Sequence, residues 1–240
     1  MTSARLAAEG LRVRIGGAIV LRDASLTVHA GEVLGVFGPS GAGKSTLFRA
    51  LAGEERLDQG RVLLDGVDVT RRPLWERARL GLGYVPQTPS VLLDLTVAEN
   101  LAAFQGMAPR REGSPSAAAL LADLGLAERA QVRAGALSGG ERRRLELARA
   151  LSAAPRVLLC DEPFAAIDPR GTERAGALLR ALADRGAAVI LADHHVAEAL
   201  GLCDRAALLL GGEIALASAP SEFCRDPRVQ QHYAVVPPRL

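Results

Sequence analysis

Lysine is almost absent from this 240-residue sequence: of 29 basic residues only Lys44 is a lysine, and the other 28 are arginine. The bias reads as compositional, yet it marks position 44 as one where a compact ammonium and a planar guanidinium are not interchangeable. Charge of one sign is lacking too. The basic residues are scattered among 27 acidic ones, for a formal net charge of +2, so there is no electrostatic footprint for DNA or RNA and no nucleic-acid partner is expected. The three cysteines, Cys160, Cys203 and Cys224, are far apart and without C-x-x-C spacing. Neither a disulfide framework nor a zinc site is indicated, and a reducing cytoplasm fits best. Long apolar runs are missing as well. Stretches such as 187–192 and 206–210 fall far below the roughly 18 residues of a membrane span, and the N-terminus lacks a basic-then-apolar secretory pattern. If a membrane matters, another chain supplies it.

What the sequence does have is apolar content, 49% of its residues, enough for one α/β domain with a large core and room for a smaller lobe. Short apolar runs at 11–15, 19–21 and 26–28, broken by Gly16-Gly17 and other turns, predict antiparallel strands in the first part. A further hairpin is expected over 61–69, with Asp65-Gly66 at its turn. Continuous apolar runs at 33–37, 157–160, 187–192 and 206–210 predict parallel strands buried on both faces, each near helical sequence. Between 88 and 136 the strand signal stops. Ala/Leu stretches at 96–104 and 116–124 alternate with breakers such as Pro109 and Gly113-Ser114-Pro115, which predicts an inserted helical lobe. Residues 236–240, with Pro237-Pro238, predict an irregular tail.

The strongest local signal is Gly38-Pro39-Ser40-Gly41-Ala42-Gly43-Lys44-Ser45-Thr46. It follows a buried strand and precedes a helical pattern, the context that a G-x-x-x-x-G-K-[ST] phosphate loop requires. Its glycines let backbone N–H groups face phosphates, and the following helix directs its positive end there. Lys44 is expected to hold the β- and γ-phosphates and Ser45 to ligate Mg²⁺. ATP and Mg²⁺ are thus the expected cofactors. Residues 157–162, Val-Leu-Leu-Cys-Asp-Glu, end a second buried strand in two acids. Strand alternation is expected to point them apart, Asp161 to the Mg²⁺ shell and Glu162 to an attacking water. That pair predicts hydrolysis rather than transfer to a bound acceptor. Leu137-Ser138-Gly139-Gly140-Glu141 opens a helix with Ser138 as its N-cap, and its two glycines offer N–H groups to another phosphate.

Together these residues resemble the ABC transporter ATPase family over nearly the whole chain. The loop matches Walker A, Tyr84-Val85-Pro86-Gln87 the Q-loop, 137–141 the signature, 157–162 Walker B, Ala165-Ala166-Ile167-Asp168 the D-loop, and His194 the switch histidine. His195 competes for that last role, but Asp193-His194-His195-Val196 is similar to the family pattern Asp-His-Asn-Val and favours His194. The resemblance implies a P-loop NTPase fold of ABC type: α/β, with a mostly parallel core sheet, an N-terminal antiparallel β part and an inserted helical lobe. It implies a single domain over 1–240, with core at 1–87 and 137–225, lobe at 88–136 and tail at 226–240. It also implies that Glu162, His194 and Gln87 are catalytic, and that Ser45, Gln87 and Asp161 hold the metal. Ser138, Gly139, Gly140 and Asp168 would join the nucleotide site across a homodimer with composite ATP sites.

Two positions depart from the family. The residue where an aromatic ring usually stacks on adenine aligns with Ile15, which offers aliphatic contact only. Glu141-Arg142 replaces the common Gln-Gln. Within the family, 137–144, Asp161-Glu162-Pro163-Phe164-Ala165, Asp168-Pro169, Asp193-His194 and the tail around Pro220-Ser221-Glu222-Phe223 and 229–233 are similar to lipopolysaccharide-export ATPases. The alternative is the ATPase of branched-chain amino acid importers, with a soluble non-transport ABC ATPase less favoured. The resemblance implies a position on the cytoplasmic face of the inner membrane, with transmembrane subunits docked on the helical lobe. The apolar Val91-Leu92-Leu93 either forms that docking patch or belongs to the lobe core.

Overall fold

The structure, a computed structural model, describes residues 4–107 and 114–233. Two long strands open it, β1 (Ala4–Ile15) and β2 (Ala18–His29), paired antiparallel about the Gly16-Gly17 turn. β3 (Val33–Phe37) follows, then α1 (Lys44–Ala52), the hairpin β4 (Gln59–Leu64) and β5 (Val67–Asp68), α2 (Leu74–Leu80) and β6 (Leu82–Val85). The lobe contains α3 (Val97–Met107) and α4 (Ala117–Asp123), and α5 (Gly139–Ser152) leads back to the core. The chain continues through β7 (Val157–Asp161), α6 (Pro169–Asp184), β8 (Ala188–Ala192), α7 (Val196–Leu200), β9 (Arg205–Leu210), β10 (Glu213–Ser218), α8 (Pro220–Phe223) and α9 (Pro227–His232).

All strands join one sheet of order β5-β4-β1-β2-β10-β9-β3-β8-β7-β6. One end, from β5 to β2, is antiparallel; β9, β3, β8, β7 and β6 run parallel. Every residue of β3, β7 and β8 is buried, as continuous apolar runs require in a sheet covered on both faces. Alternate residues of β3 serve opposite cores: Val33 and Phe37 join the cluster under the lobe and α6, while Leu34 and Val36 face the cluster around α1 and the N-terminal hairpin. Two strands are not evident in the sequence. β6 is four residues long, includes Gly83 and ends against Pro86, and β10 is only half-buried, so neither gives a continuous apolar run.

In the lobe, Thr96 and Ser116 cap α3 and α4: the Thr96 hydroxyl accepts from Glu99 N–H, and Ser116 Oγ from Ala119 N–H. The breakers Pro109 and Gly113 and the tail at 236–240 lie outside the described residues. The patch at 91–93 is divided. Val91 is buried in the lobe core, whereas Leu92 and Leu93 are 43% and 51% exposed. Asn100 enforces the division: fully buried, it accepts from Leu92 N–H and donates to the Leu92, Leu95 and Thr96 carbonyls, closing a turn that turns both leucines outward.

Candidate active site

Strand order assembles the site. The neighbouring parallel strands β3, β8, β7 and β6 deliver to one edge, from their carboxyl ends, the loop 38–46, His194, Asp161-Glu162 and Gln87 respectively. Ligands of open α/β sheets bind at that edge. α1 starts at Lys44 from Gly43, whose φ of 103° is a left-handed conformation that favours glycine. No side chain caps this helix and no acid lies in its first turn. Its first N–H groups and positive dipole end therefore remain available to an anion.

Lys44 Nζ donates to the Gly38 carbonyl at 2.6 Å and the Pro39 carbonyl at 3.1 Å, tying the loop to its own helix. Burial lowers the Lys44 pKa, against the opposing pull of Asp161 and Glu162. Ser45 Oγ donates to Gln87 Oε1 at 3.2 Å, and Gln87 Nε2 donates to Glu162 Oε1 at 2.8 Å. His194 Nε2 lies 2.6 Å from the same Glu162 oxygen. A run of polar contacts thus leads from the phosphate loop to His194, hydrogen-bonded as far as Glu162. Asp161 is 2% exposed, and its Oδ2 is buried without a partner among the described residues. Its pKa is raised by burial first, partly offset by the adjacent Ser45 hydroxyl.

The divergence of Asp161 and Glu162 has a different cause from strand alternation. β7 ends at Asp161, and Glu162 takes φ 59°, a left-handed turn outside the strand, with its N–H held by the Ala192 carbonyl at 2.7 Å. Ala166 adopts the same φ of 59°, and such non-glycine positions occur where surrounding structure enforces them. His195 is turned away from the cluster: its N–H and Nδ1 both lie on Asp193 Oδ1, while Asp193 Oδ2 accepts from Phe164 N–H.

The remaining sequence-predicted residues lie elsewhere. Ile15 is at the β1–β2 turn, 40% exposed. Ser138 caps α5 in a reciprocal box with Glu141, which uses the serine hydroxyl and leaves Ser138 and Gly139 exposed. A Cβ on Gly140 would strike the Ala166 carbonyl, so this glycine seats the signature on the D-loop. Asp168 caps α6 through Gly171 N–H at 3.0 Å. Among the described residues, no hydrogen bond joins Ser138, Gly139, Gly140 or Asp168 to the loop 38–46.

The family model described as ABC transporter matches residues 21–165. This chain belongs to the ABC transporter family. Its chemistry is ATP binding and hydrolysis. It is similar to the lipopolysaccharide export system ATP-binding protein LptB of Acidithiobacillus ferridurans, 44% identical over 90% of each chain, and to LptB of Escherichia coli K12, 38% identical over 96% of this chain and 97% of that one. Among solved structures it resembles the ADP conformation of the ABC transporter cassette MJ1267, with TM-score 0.82 and 28% identity over 97% and 99% of the two chains. It also resembles the dimeric post-hydrolysis cassette MJ0796 bound to ADP and Pi, with TM-score 0.78 and 25% identity over 89% and 98%.

The ABC core contains further residues that sequence patterns did not single out. Arg143 of α5 is 4% exposed and donates to the Pro86 carbonyl at 2.6 Å, the Glu162 carbonyl at 3.0 Å, the Asp161 carbonyl and Glu146 Oε2. Glu146 in turn accepts from Ser90 N–H, and Arg149 donates to the Ser90 carbonyl while stacking on Phe104. The signature helix therefore grips both the Walker B end and the segment after Gln87. Beside that segment lies a cavity of about 240 Å³, lined in part by Leu74, Tyr84, Phe104 and Arg149.

Proposed function

We propose that this chain is the ATP-driven motor of a bacterial lipopolysaccharide exporter, working as a homodimer on the cytoplasmic face of the inner membrane. The substrate follows from the relatives, whose names specify lipopolysaccharide export at 44% and 38% identity. They favour this over branched-chain amino acid import. The observation that carries the catalytic reading is the chain Ser45–Gln87–Glu162–His194, which puts a carboxylate between a histidine and the phosphate loop.

The residues fit Mg²⁺. Asp161 presents an unpartnered buried carboxylate oxygen next to the Ser45 hydroxyl and the Gln87 amide, a hard-oxygen donor set to which substrate phosphates add the rest. The metal, when bound, neutralises charge on the phosphates. Lys44 and the first N–H groups of α1 hold the β- and γ-phosphates. Glu162 orients and polarises the attacking water as its general base, and His194 fixes the Glu162 carboxylate and reaches the γ-phosphate. Because Ser138 and Gly139 are exposed, they are accessible to close over the γ-phosphate of a second copy, completing two composite sites. Leu92, Leu93 and the groove beside Tyr84 and Arg149 receive the transmembrane partner, so that closure of the dimer moves it.

Glu162→Gln is the test. It preserves the hydrogen bond from Gln87 and removes the base, so turnover should fall by about 10²–10⁴, the usual range for a general base, and ATP should trap a dimer visible by size-exclusion chromatography. A fully active variant removes Glu162 from this role.

A further inference from the structure

Gly38 opens the phosphate loop, and its peptide groups are fixed from both sides. Its carbonyl accepts from Lys44 Nζ at 2.6 Å. Its N–H donates to the phenolic oxygen of Tyr233 at 2.8 Å, across 195 positions of sequence. Gly38 itself is buried, and the Leu209 carbonyl occupies the space a Cβ would need, so the backbone here is closely packed. Tyr233 follows α9 and closes that helix by donating its own N–H to the Val229 carbonyl at 2.9 Å. The same C-terminal segment touches the strand before the loop: Phe223, fully buried in α8, packs against Phe37 with ring centroids 5.5 Å apart.

We infer that Tyr233 is a positioning residue for the nucleotide loop, holding the Gly38 peptide through which the loop is anchored to Lys44. A buried N–H without an acceptor carries a desolvation penalty, which is relieved by local rearrangement when the partner is lost. β3 is paired on both sides, with β8 and β9, so a rearrangement at Gly38 falls on the loop that follows. Without the phenol, the folded chain spends part of its time with the loop misplaced, and ATP binding has to restore it. Apparent affinity falls by the fraction of molecules that are competent, while the chemistry at Glu162, once ATP is bound, is little altered.

This inference rests on the reading that loop 38–46 holds the nucleotide, and the experiments separate the two. In the full-length chain, Tyr233→Phe keeps the ring and removes the oxygen. The KM for ATP should rise about five- to tenfold, the effect of one lost buried hydrogen bond, with kcat changed less than twofold and faster hydrogen exchange at the Gly38 amide. Phe223→Leu loosens the same segment without touching the phenol, and should lower the melting temperature while leaving KM in place. A Tyr233→Phe enzyme with wild-type KM and an equally protected Gly38 amide overturns the inference. So does an equal KM rise in Phe223→Leu, which would assign the effect to packing. ATP binding that survives Lys44→Ala would instead sink the reading of the loop itself.

Discussion

Asp161 reaches the carboxyl edge of the sheet almost wholly buried, with one oxygen bonded to nothing among the described residues. Its charge is thus a cost to the nucleotide-free fold, and the raised pKa, caused by burial, expresses that cost. The folded chain holds this proton to higher pH than the unfolded one, whose value is near 3.8. Stability from this group is therefore complete below about pH 3.8 and is lost as pH rises through the folded value. Asp161→Asn should raise the melting temperature of the free protein by a few degrees at pH 7, show no gain below that window, and abolish Mg²⁺-stimulated turnover. Calorimetry across pH with a parallel phosphate-release assay checks both halves; an unchanged melting temperature at pH 7 refutes the argument. At this scale the sequence exposed residues with motif company. Lys44, Glu162 and Gln87 were named because neighbouring letters constrain them. Arg143 was not, since one arginine among 28 on a helix reads as a solvated charge until the carbonyls of Pro86, Asp161 and Glu162 are seen around it.

The helices at the site are fastened by side chains that reach backbone. α1, whose first N–H groups are proposed to hold phosphate, ends at the guanidinium of Arg77: this buried side chain donates to the Ala50 and Leu51 carbonyls and to those of Arg72 and Thr70. Burial brings its pKa down to about 10, so it remains a cation at neutral pH, satisfied by peptide oxygens and the C-terminal dipole of α1. Arg77→Met fills similar volume and leaves those carbonyls without a donor, which should cost about 3 kcal/mol or more. Urea unfolding is the measurement, and a loss under 1 kcal/mol would show that water replaces the guanidinium. The sequence predicted the helix after the loop from its apolar period and its glycines. Its terminal cap was invisible, because a contact between residues 50 and 77 leaves no periodic trace. By contrast, the cap at Ser138 was legible, since partner and helix lie within three residues.

Across the whole molecule, the sheet order decides what meets. Buried runs at β3, β7, β8 and β9 could be read as parallel strands, but their adjacency could not, and adjacency is what brings Gln87, 75 positions from Glu162, within 2.8 Å of it. The outward face of the lobe was half legible. The apolar triplet at 91–93 was seen, while its division into one core residue and two exposed ones depends on the turn Asn100 enforces. Leu92→Asp therefore adds a charge to an exposed surface. It should change stability by less than about 0.5 kcal/mol yet release the transmembrane subunits, with ATP binding intact. Co-purification with those subunits reads the outcome, and undiminished recovery removes Leu92 from the interface.

The scarcity of lysine has a practical consequence. Lys44 is the only side-chain amine in the sequence, and burial makes it easier to deprotonate than an ordinary lysine. An acylating reagent therefore has a single lysine to mark, on the loop proposed to hold the nucleotide, where a bound triphosphate would stand in its way. The mass of the intact chain after brief labelling becomes a gauge of site occupancy, in a complex as readily as in the purified subunit.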